Sequence, residues 1–214
     1  MKADDFKALV SHWSDVMKEN RDYLIDLDSV VGDGDLGLTM SDGFLAASEA
    51  IKGNAEADIG KLAYFAGKAM STAVPSTMGT LMASGFMAAG KALKGKNELN
   101  LGGIAEFFKT YLDGVQSRGK AQIGDKTFLD GLYPAAQSLQ ADAAANIDLL
   151  EAASKAAAAA HDAFLSTKGM LAIHGRAAAR GEKSRELLDP GAAVADLMMK
   201  GYADFLTMRQ NMGA

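Results

Sequence analysis

Apolar residues recur at helical spacing from one end of the chain to the other. Phe6, Leu9, Val10, Trp13, Val16 and Met17 keep to i, i+3, i+4 intervals. So do Ile104, Phe107, Phe108, Tyr111, Leu112 and Val115, and again Val194, Leu197, Met198, Tyr202 and Phe205. A period near 3.6 gathers such residues on one helix face, whereas a half-buried strand needs a period of 2. Residue types agree, with 40 Ala against only 14 Val plus Ile. Strands favour β-branched residues, and Ala is the strongest helix former. Further helices are expected over 37–52, 57–72, 77–95, 126–143 and 148–170, which makes eight.

Punctuation between these segments fits the same scheme. Lys52-Gly53-Asn54, Lys94-Gly95-Lys96-Asn97 and Arg118-Gly119 are polar, glycine-bearing stops. Asp189-Pro190-Gly191 offers a capping carboxylate ahead of a proline at the first helical position. Connections are mostly short, which favours antiparallel neighbours. The expectation is an all-α chain forming a single domain over residues 1–214, an up-and-down bundle of eight helices.

Charge and residue usage bound the chemistry. With no Cys, the chain has no disulfide, thiolate nucleophile or Cys-ligated metal site. A net charge of −5 argues against nucleic acid, whose phosphates call for a basic stripe. No apolar run is long enough to suggest a membrane partner, and the opening Met1-Lys-Ala-Asp-Asp-Phe6 lacks a signal-peptide core. A cytoplasmic location is therefore expected.

Two stretches sit poorly in a plain bundle: Asp26 to Gly37, and Gly169 to Pro190. Both carry glycine and charge, and irregular charged connections on a regular scaffold are where function tends to lie. Gly32-Asp-Gly-Asp-Leu-Gly37 literally matches G-x-G-x-x-G. The dinucleotide reading fails, because that motif follows a strand and presents bare amides to a pyrophosphate. Asp33 and Asp35 would repel one unless a cation lay between.

Asp28, Asp33 and Asp35 form a D-x4-D-x-D set. A calcium-hand loop does not fit, since Gly37 falls at its fifth position and Phe44 replaces the closing Glu. Three hard carboxylates on a glycine-rich turn suit Mg²⁺, which completes its shell with water and substrate phosphates. A helix starting near Leu36 would aim its free amides at those phosphates. The alternative is that these residues cap the helix and face water. Spacing does not choose between the two.

A second segment, Gly119-Lys-Ala-Gln-Ile-Gly-Asp-Lys-Thr127, nearly spells a P-loop. Asp125 stands where its lysine should follow Gly124, and no strand precedes it. Asp125 and Thr127 then open a helix, and Gly119 and Lys120 could line a ligand. Arg176, beside Gly175, is the third candidate, suited to neutralising phosphate or stacking on a base. Of the three histidines only His174 adjoins a candidate segment. His12 is expected on the polar face of the first helix and His161 in a structural role. No Ser–His–acid or zinc pattern is present.

Taken together, Asp28…Gly32-Asp33-Gly34-Asp35-x-Gly37, Ser117-Arg-Gly-Lys-Ala…Gly124-Asp-Lys-Thr…Asp130, and Gly175-Arg176-Ala177…Gly181-Glu182…Ser184…Asp189-Pro-Gly-Ala192 resemble the L subunit of dihydroxyacetone kinase. The resemblance runs in order over nearly the whole chain. It implies a barrel of eight antiparallel helices with a nucleotide site at one end. It further implies that Asp28, Asp33 and Asp35 hold two Mg²⁺ against the phosphates of ADP or ATP. Leu36, Gly37, Leu38 and Thr39 would meet phosphate, with Ser76 and Thr77 as substitutes for the family's second phosphate loop. Gly119, Phe128, Arg176, Asp189, Pro190 and Gly191 would surround the nucleotide. No residue of this chain would act as a catalytic base. The acceptor ketose, dihydroxyacetone or a related one, would sit on a separate K-like subunit.

Three positions depart from the family pattern. Leu36 stands where such subunits typically carry His, Phe128 where Met is common, and Ala73–Thr80 is shorter and less glycine-rich. These departures suggest a divergent branch acting on another small ketose. Three functions fit: a kinase subunit using ATP directly, one whose ADP is recharged by a phosphohistidine protein of the sugar phosphotransferase system, or a non-catalytic nucleotide-sensing module that binds a regulator.

Overall fold

A computed structural model describes residues 1–213. Among these, nine α-helices and one 3₁₀ segment are present and no strand. The helices are α1 (Ala3–Glu19), α2 (Arg21–Val31), α3 (Leu36–Ile51), α4 (Ile59–Ala73), α5 (Thr77–Ala92), α6 (Leu101–Gly119), α7 (Phe128–Ala144), α8 (Leu149–Ser166) and α9 (Pro190–Gly213). The 3₁₀ segment, Arg176–Glu186, lies in the connection between α8 and α9.

The all-α expectation holds, with one helix more than the eight expected. The stretch Arg21–Val31, whose second half falls in the acidic segment expected to be irregular, is helical and carries Asp28 in its last turn. Its apolar face is thin: Leu24 and Val31 are its buried residues. A short charged helix with so narrow a stripe gives little periodic signal. The second irregular stretch is correctly placed, although part of it winds as 3₁₀.

Neighbouring helices run antiparallel. Gly43 of α3 lies against Met70 near the end of α4, and Gly60 at the start of α4 against Gly90 and Leu93 at the end of α5. Leu81 near the start of α5 meets Gly119 at the end of α6. Lys155 near the start of α8 pairs with Asp142 near the end of α7, and His161 of α8 with Asp196 of α9. The loops 32–35, 74–76 and 120–127 and the segment 167–189 therefore emerge at one end of the bundle. The Gly60–Gly90 crossing depends on missing side chains: a Cβ on Gly60 would stand 2.6 Å from the Gly90 carbonyl oxygen.

Trp13 sits at the centre and is fully buried. Its ring centroid lies 6.2 to 6.4 Å from those of Phe44, Phe86, Phe107 and Phe108, contributed by α3, α5 and α6. Its Nε1 donates to the Met198 carbonyl of α9 at 2.8 Å. Such pairs contribute about 0.5–1.5 kcal/mol each beyond area burial. This core ties α1 to the bundle and so fixes where α2, its near-continuation, can reach. His12, expected on a polar face, instead has its Nε2 buried without a partner and its ring 6.3 Å from that of Phe205. The neighbouring α9 covers what α1 alone would leave in water.

Candidate functional site

The acidic loop is shaped by contact between α2 and α3. Gly37 lies so close to α2 that an added Cβ would stand 2.1 Å from the Arg21 carbonyl oxygen. Its role is close packing, which the glycine pattern alone did not disclose. Gly34 turns the chain with φ +74, a conformation that L side chains rarely adopt. The turn brings one carboxylate oxygen from each of Asp28, Asp33 and Asp35 within 4.8 Å of one another.

Asp35 occupies the N-cap position of α3, yet its side chain makes no capping hydrogen bond. A residue held there to cap would accept from the second or third amide. Asp28 reaches the helix start instead, its Oδ2 accepting from the Leu36 amide at 3.4 Å. Burial pushes Asp28 above the ordinary carboxylate value, the Leu36 amide opposes this, and the charges of Asp33 and Asp35 add to it. Three carboxylates this close repel one another, and a cation set among them would relieve that repulsion.

One cation is supplied by the protein. Nη2 of Arg176 lies 2.5 Å from Asp33 Oδ2, and its aliphatic stem passes Gly32. A small apolar cluster of Val31, Ala172 and Ala177 seats the 3₁₀ segment against the end of α2. The remaining carboxylate oxygens fit a hard divalent ion. Ligands of Mg²⁺ at about 2.0–2.1 Å stand about 3–4 Å apart, within a small side-chain adjustment of the spacing seen.

The other expected residues lie at the same end but in separate groups. Ser76 caps α5, accepting from the Gly79 amide at 3.0 Å, with Thr77 the first residue of that helix. Gly119 closes α6 against Leu81. Phe128 opens α7 with its ring buried 6.2 Å from that of Tyr111. Gly191 packs on the Phe128 backbone, where a Cβ would lie 2.9 Å from its nitrogen. Asp189 caps α9, its Oδ2 accepting from the Ala192 amide at 2.7 Å. Leu36, Gly37, Leu38 and Thr39 form the first turn of α3, with Leu36 buried and Leu38 exposed.

A buried polar network beneath these groups was not legible in the sequence. Asp189 lies among Lys126, Asp130 and Thr167, all nearly excluded from water. Burial pushes Asp189 up to about 7, against the pull of the Ala192 amide and of Lys126. Burial also lowers Lys126, so both groups shift toward their neutral forms. Asp130 accepts from the Thr127 amide at 2.7 Å and the Gly124 amide at 2.6 Å, fixing the 120–127 loop. Asp125, expected to open a helix, instead meets His174 Nε2 at 2.9 Å. In the sequence Gly124-Asp-Lys-Thr127 carries a failed P-loop and part of the family resemblance, neither of which discloses the structural use of its lysine.

The fold and this end of the bundle define an all-helical scaffold presenting a clustered carboxylate site ringed by helix starts. The chain belongs to the DAK2 domain family, whose profile matches residues 30–204. It is 35% identical over 189 residues to the Escherichia coli PEP-dependent dihydroxyacetone kinase, ADP-binding subunit DhaL, covering 88% of this chain and 90% of that one. With the Lactococcus lactis PTS-dependent counterpart the identity is 31% over 84% of this chain and 85% of the other. L-erythrulose 1-kinase of Mycolicibacterium smegmatis is 30% identical over 96% of this chain, which spans 36% of that protein. The crystal structure of the dihydroxyacetone kinase of C. freundii superposes with a TM-score of 0.70 at 25% identity. That match covers 93% of this chain and 34% of the other, and the same enzyme in complex with AMP-PNP and Mg²⁺ gives 0.69. The family and its kinase character agree with the resemblance drawn from the loop, the Gly-Asp-Lys-Thr segment and the Asp-Pro-Gly helix start. Among the described residues no helix is long and apolar enough to cross a membrane.

Proposed function

We propose that this chain is the nucleotide-binding subunit of a dihydroxyacetone-type kinase. It binds ADP or ATP with two Mg²⁺ and acts in the cytoplasm with a separate K-like subunit that holds dihydroxyacetone or a related small ketose. The observation carrying this reading is the Asp28–Asp33–Asp35 cluster, with an N-cap aspartate that does not cap. Support comes from kinship with subunits named as ADP-binding and from a structural neighbour carrying AMP-PNP and Mg²⁺. The L-erythrulose kinase relative supports an acceptor among small ketoses.

Asp28, Asp33 and Asp35 would hold the Mg²⁺, which when bound offsets phosphate charge that the carboxylates would otherwise repel. The chain's own residues do the rest by placement. Gly37 and Leu38 lie in the first turn of α3, whose amides lack helical carbonyl partners and favour an anion. Arg176 provides a forked cation at the rim of the site. Capping by Ser76, Thr127 and Asp189 holds the helix starts at this end in place. Rigid placement and electrostatics carry most phosphoryl-transfer catalysis, so no general base is required from this subunit.

Calorimetric titration with ADP in the presence and absence of Mg²⁺ tests the reading. Tight binding that disappears with chelator is expected, and Mg²⁺-independent or absent binding would overturn it. Turnover with a K-like subunit and a ketose panel then separates the donors. ATP alone supports direct use, whereas dependence on a phosphorylated phosphotransferase-system protein supports recharging of bound ADP. Nucleotide binding without turnover on any acceptor would favour a sensing module.

A further inference from the structure

The segment 167–189 that carries Arg176 has few seats on the bundle. Internally, Arg185 Nη1 donates to the Gly169 carbonyl at 2.8 Å, the Gly169 amide returns a bond to the Arg185 carbonyl at 2.7 Å, and the Ala172 amide donates to Ser184 Oγ at 3.1 Å. Apart from the Arg176–Asp33 pair, polar ties from its interior converge on two consecutive residues of the 120–127 loop. Lys126 Nζ donates to the carbonyls of Ser184 at 2.5 Å, Leu187 at 2.6 Å and Met170 at 3.4 Å. Asp125 accepts from the Ile173 amide at 3.1 Å through its carbonyl, and its carboxylate meets His174 Nε2 at 2.9 Å.

Lys126 is placed at some cost. It is 2% exposed, and a buried ammonium needs full pairing to be tolerated. Its φ of 62 is also a conformation uncommon outside glycine. Residues held under such strain persist where surrounding contacts over-determine them. Here an ammonium's three N–H donors match three carbonyls drawn from both limbs of the segment. A planar guanidinium would match those three carbonyls less well, and a side-chain amide has only two N–H donors for them.

We infer that Asp125 and Lys126 are positioning residues, which hang the 167–189 segment from the start of α7 so that Arg176 meets Asp33 over the acidic cluster. The functional consequence rests on the nucleotide reading above; the anchoring itself does not.

Hydrogen exchange and calorimetry on the full chain test this together. Lys126→Met should accelerate amide exchange across 168–188 by about tenfold or more, with the cores of α4 to α6 unchanged, because all three anchoring bonds are lost. Lys126→Arg should restore part of the protection. Should Lys126→Met fail to fold, His174→Ala, at an exposed position, must still raise exchange near residues 172–176. Wild-type exchange rates in these variants would overturn the anchoring. Mg²⁺–ADP affinity should fall about tenfold in Lys126→Met yet fall no further when Lys126→Met is added to Arg176→Ala, since coupled residues are non-additive. Full additivity would overturn the route through Arg176. Release of the segment by Lys126→Met in a chain whose wild type binds no nucleotide would support the anchoring and overturn the nucleotide reading alone.

Discussion

Replacing Asp189 by Asn isolates the electrostatics of the buried network. The Asp189 carboxyl is raised from 3.8 to about 7, so between those values the folded chain keeps a proton that the unfolded chain has released. Unfolding then releases a proton, and stability falls as pH rises through that window. The full effect is present below about pH 4 and is lost above about pH 7. At about 1.4 kcal/mol for each pH unit between the two values, it amounts to about 4 kcal/mol. Asn resembles the protonated acid: it can still accept from the Ala192 amide and cap α9, and it does not titrate. Near pH 4.5 the variant should therefore match the wild type within about 1 kcal/mol. By pH 8 it should be the more stable of the two by several kcal/mol. Urea denaturation of both proteins followed by far-UV circular dichroism at pH 4.5, 6, 7 and 8 gives the difference directly. Parallel stability curves would refute the reasoning, because they would mean that Asp189 titrates as an ordinary carboxylate and that segment 167–189 does not shield it from water.

Arg176→Ala should act in opposite directions on two ligands. Mg²⁺ alone should bind a few-fold more tightly once the guanidinium leaves Asp33, an exposed pair worth up to about 1 kcal/mol, whereas Mg²⁺–ADP should bind more weakly. Weaker Mg²⁺ binding by calorimetry would contradict that placement. Asp33→Asn should abolish Mg²⁺-dependent ADP binding while changing stability by no more than about 1 kcal/mol, since its ion pair with Arg176 is exposed. Retained affinity would sink the ligand assignment. Gly37→Ala should destabilise by about 1–3 kcal/mol, because the new methyl would meet the Arg21 carbonyl. An unchanged denaturation midpoint would show that α2 does not press on α3 there.

Some parts of this architecture were legible because their causes are local. The apolar stripes of α1 and α6 and the Asp189-Pro190 helix start are written within a few residues of one another, and each appears as expected. Asp28, Asp33 and Asp35 lie within one turn and one loop, so proximity in sequence already implied proximity in space. The helix Arg21–Val31 was missed because charged residues interrupt a narrow apolar stripe, and its stability comes from packing on α3. His12 was misplaced for a related reason: an amphipathic pattern identifies a buried face but not how far a neighbouring helix wraps beyond it.

Whether the acidic residues cap a helix or await a cation could not be decided from spacing, since both readings place the same residue types at the same positions. Side-chain orientation adds what spacing lacks: Asp35 stands at the N-cap without capping, while Asp28 accepts from the Leu36 amide. By itself the sequence determined an all-helical chain, most of its helix boundaries and a carboxylate cluster, because periodicity, caps and short turns act over a few residues. Only the tertiary structure decided that Arg176 faces Asp33, that Lys126 is buried beneath segment 167–189, and that Asp189 is cut off from water. Those outcomes depend on contacts between residues far apart in the chain, where desolvation and pairing are set by which elements come to lie on top of one another.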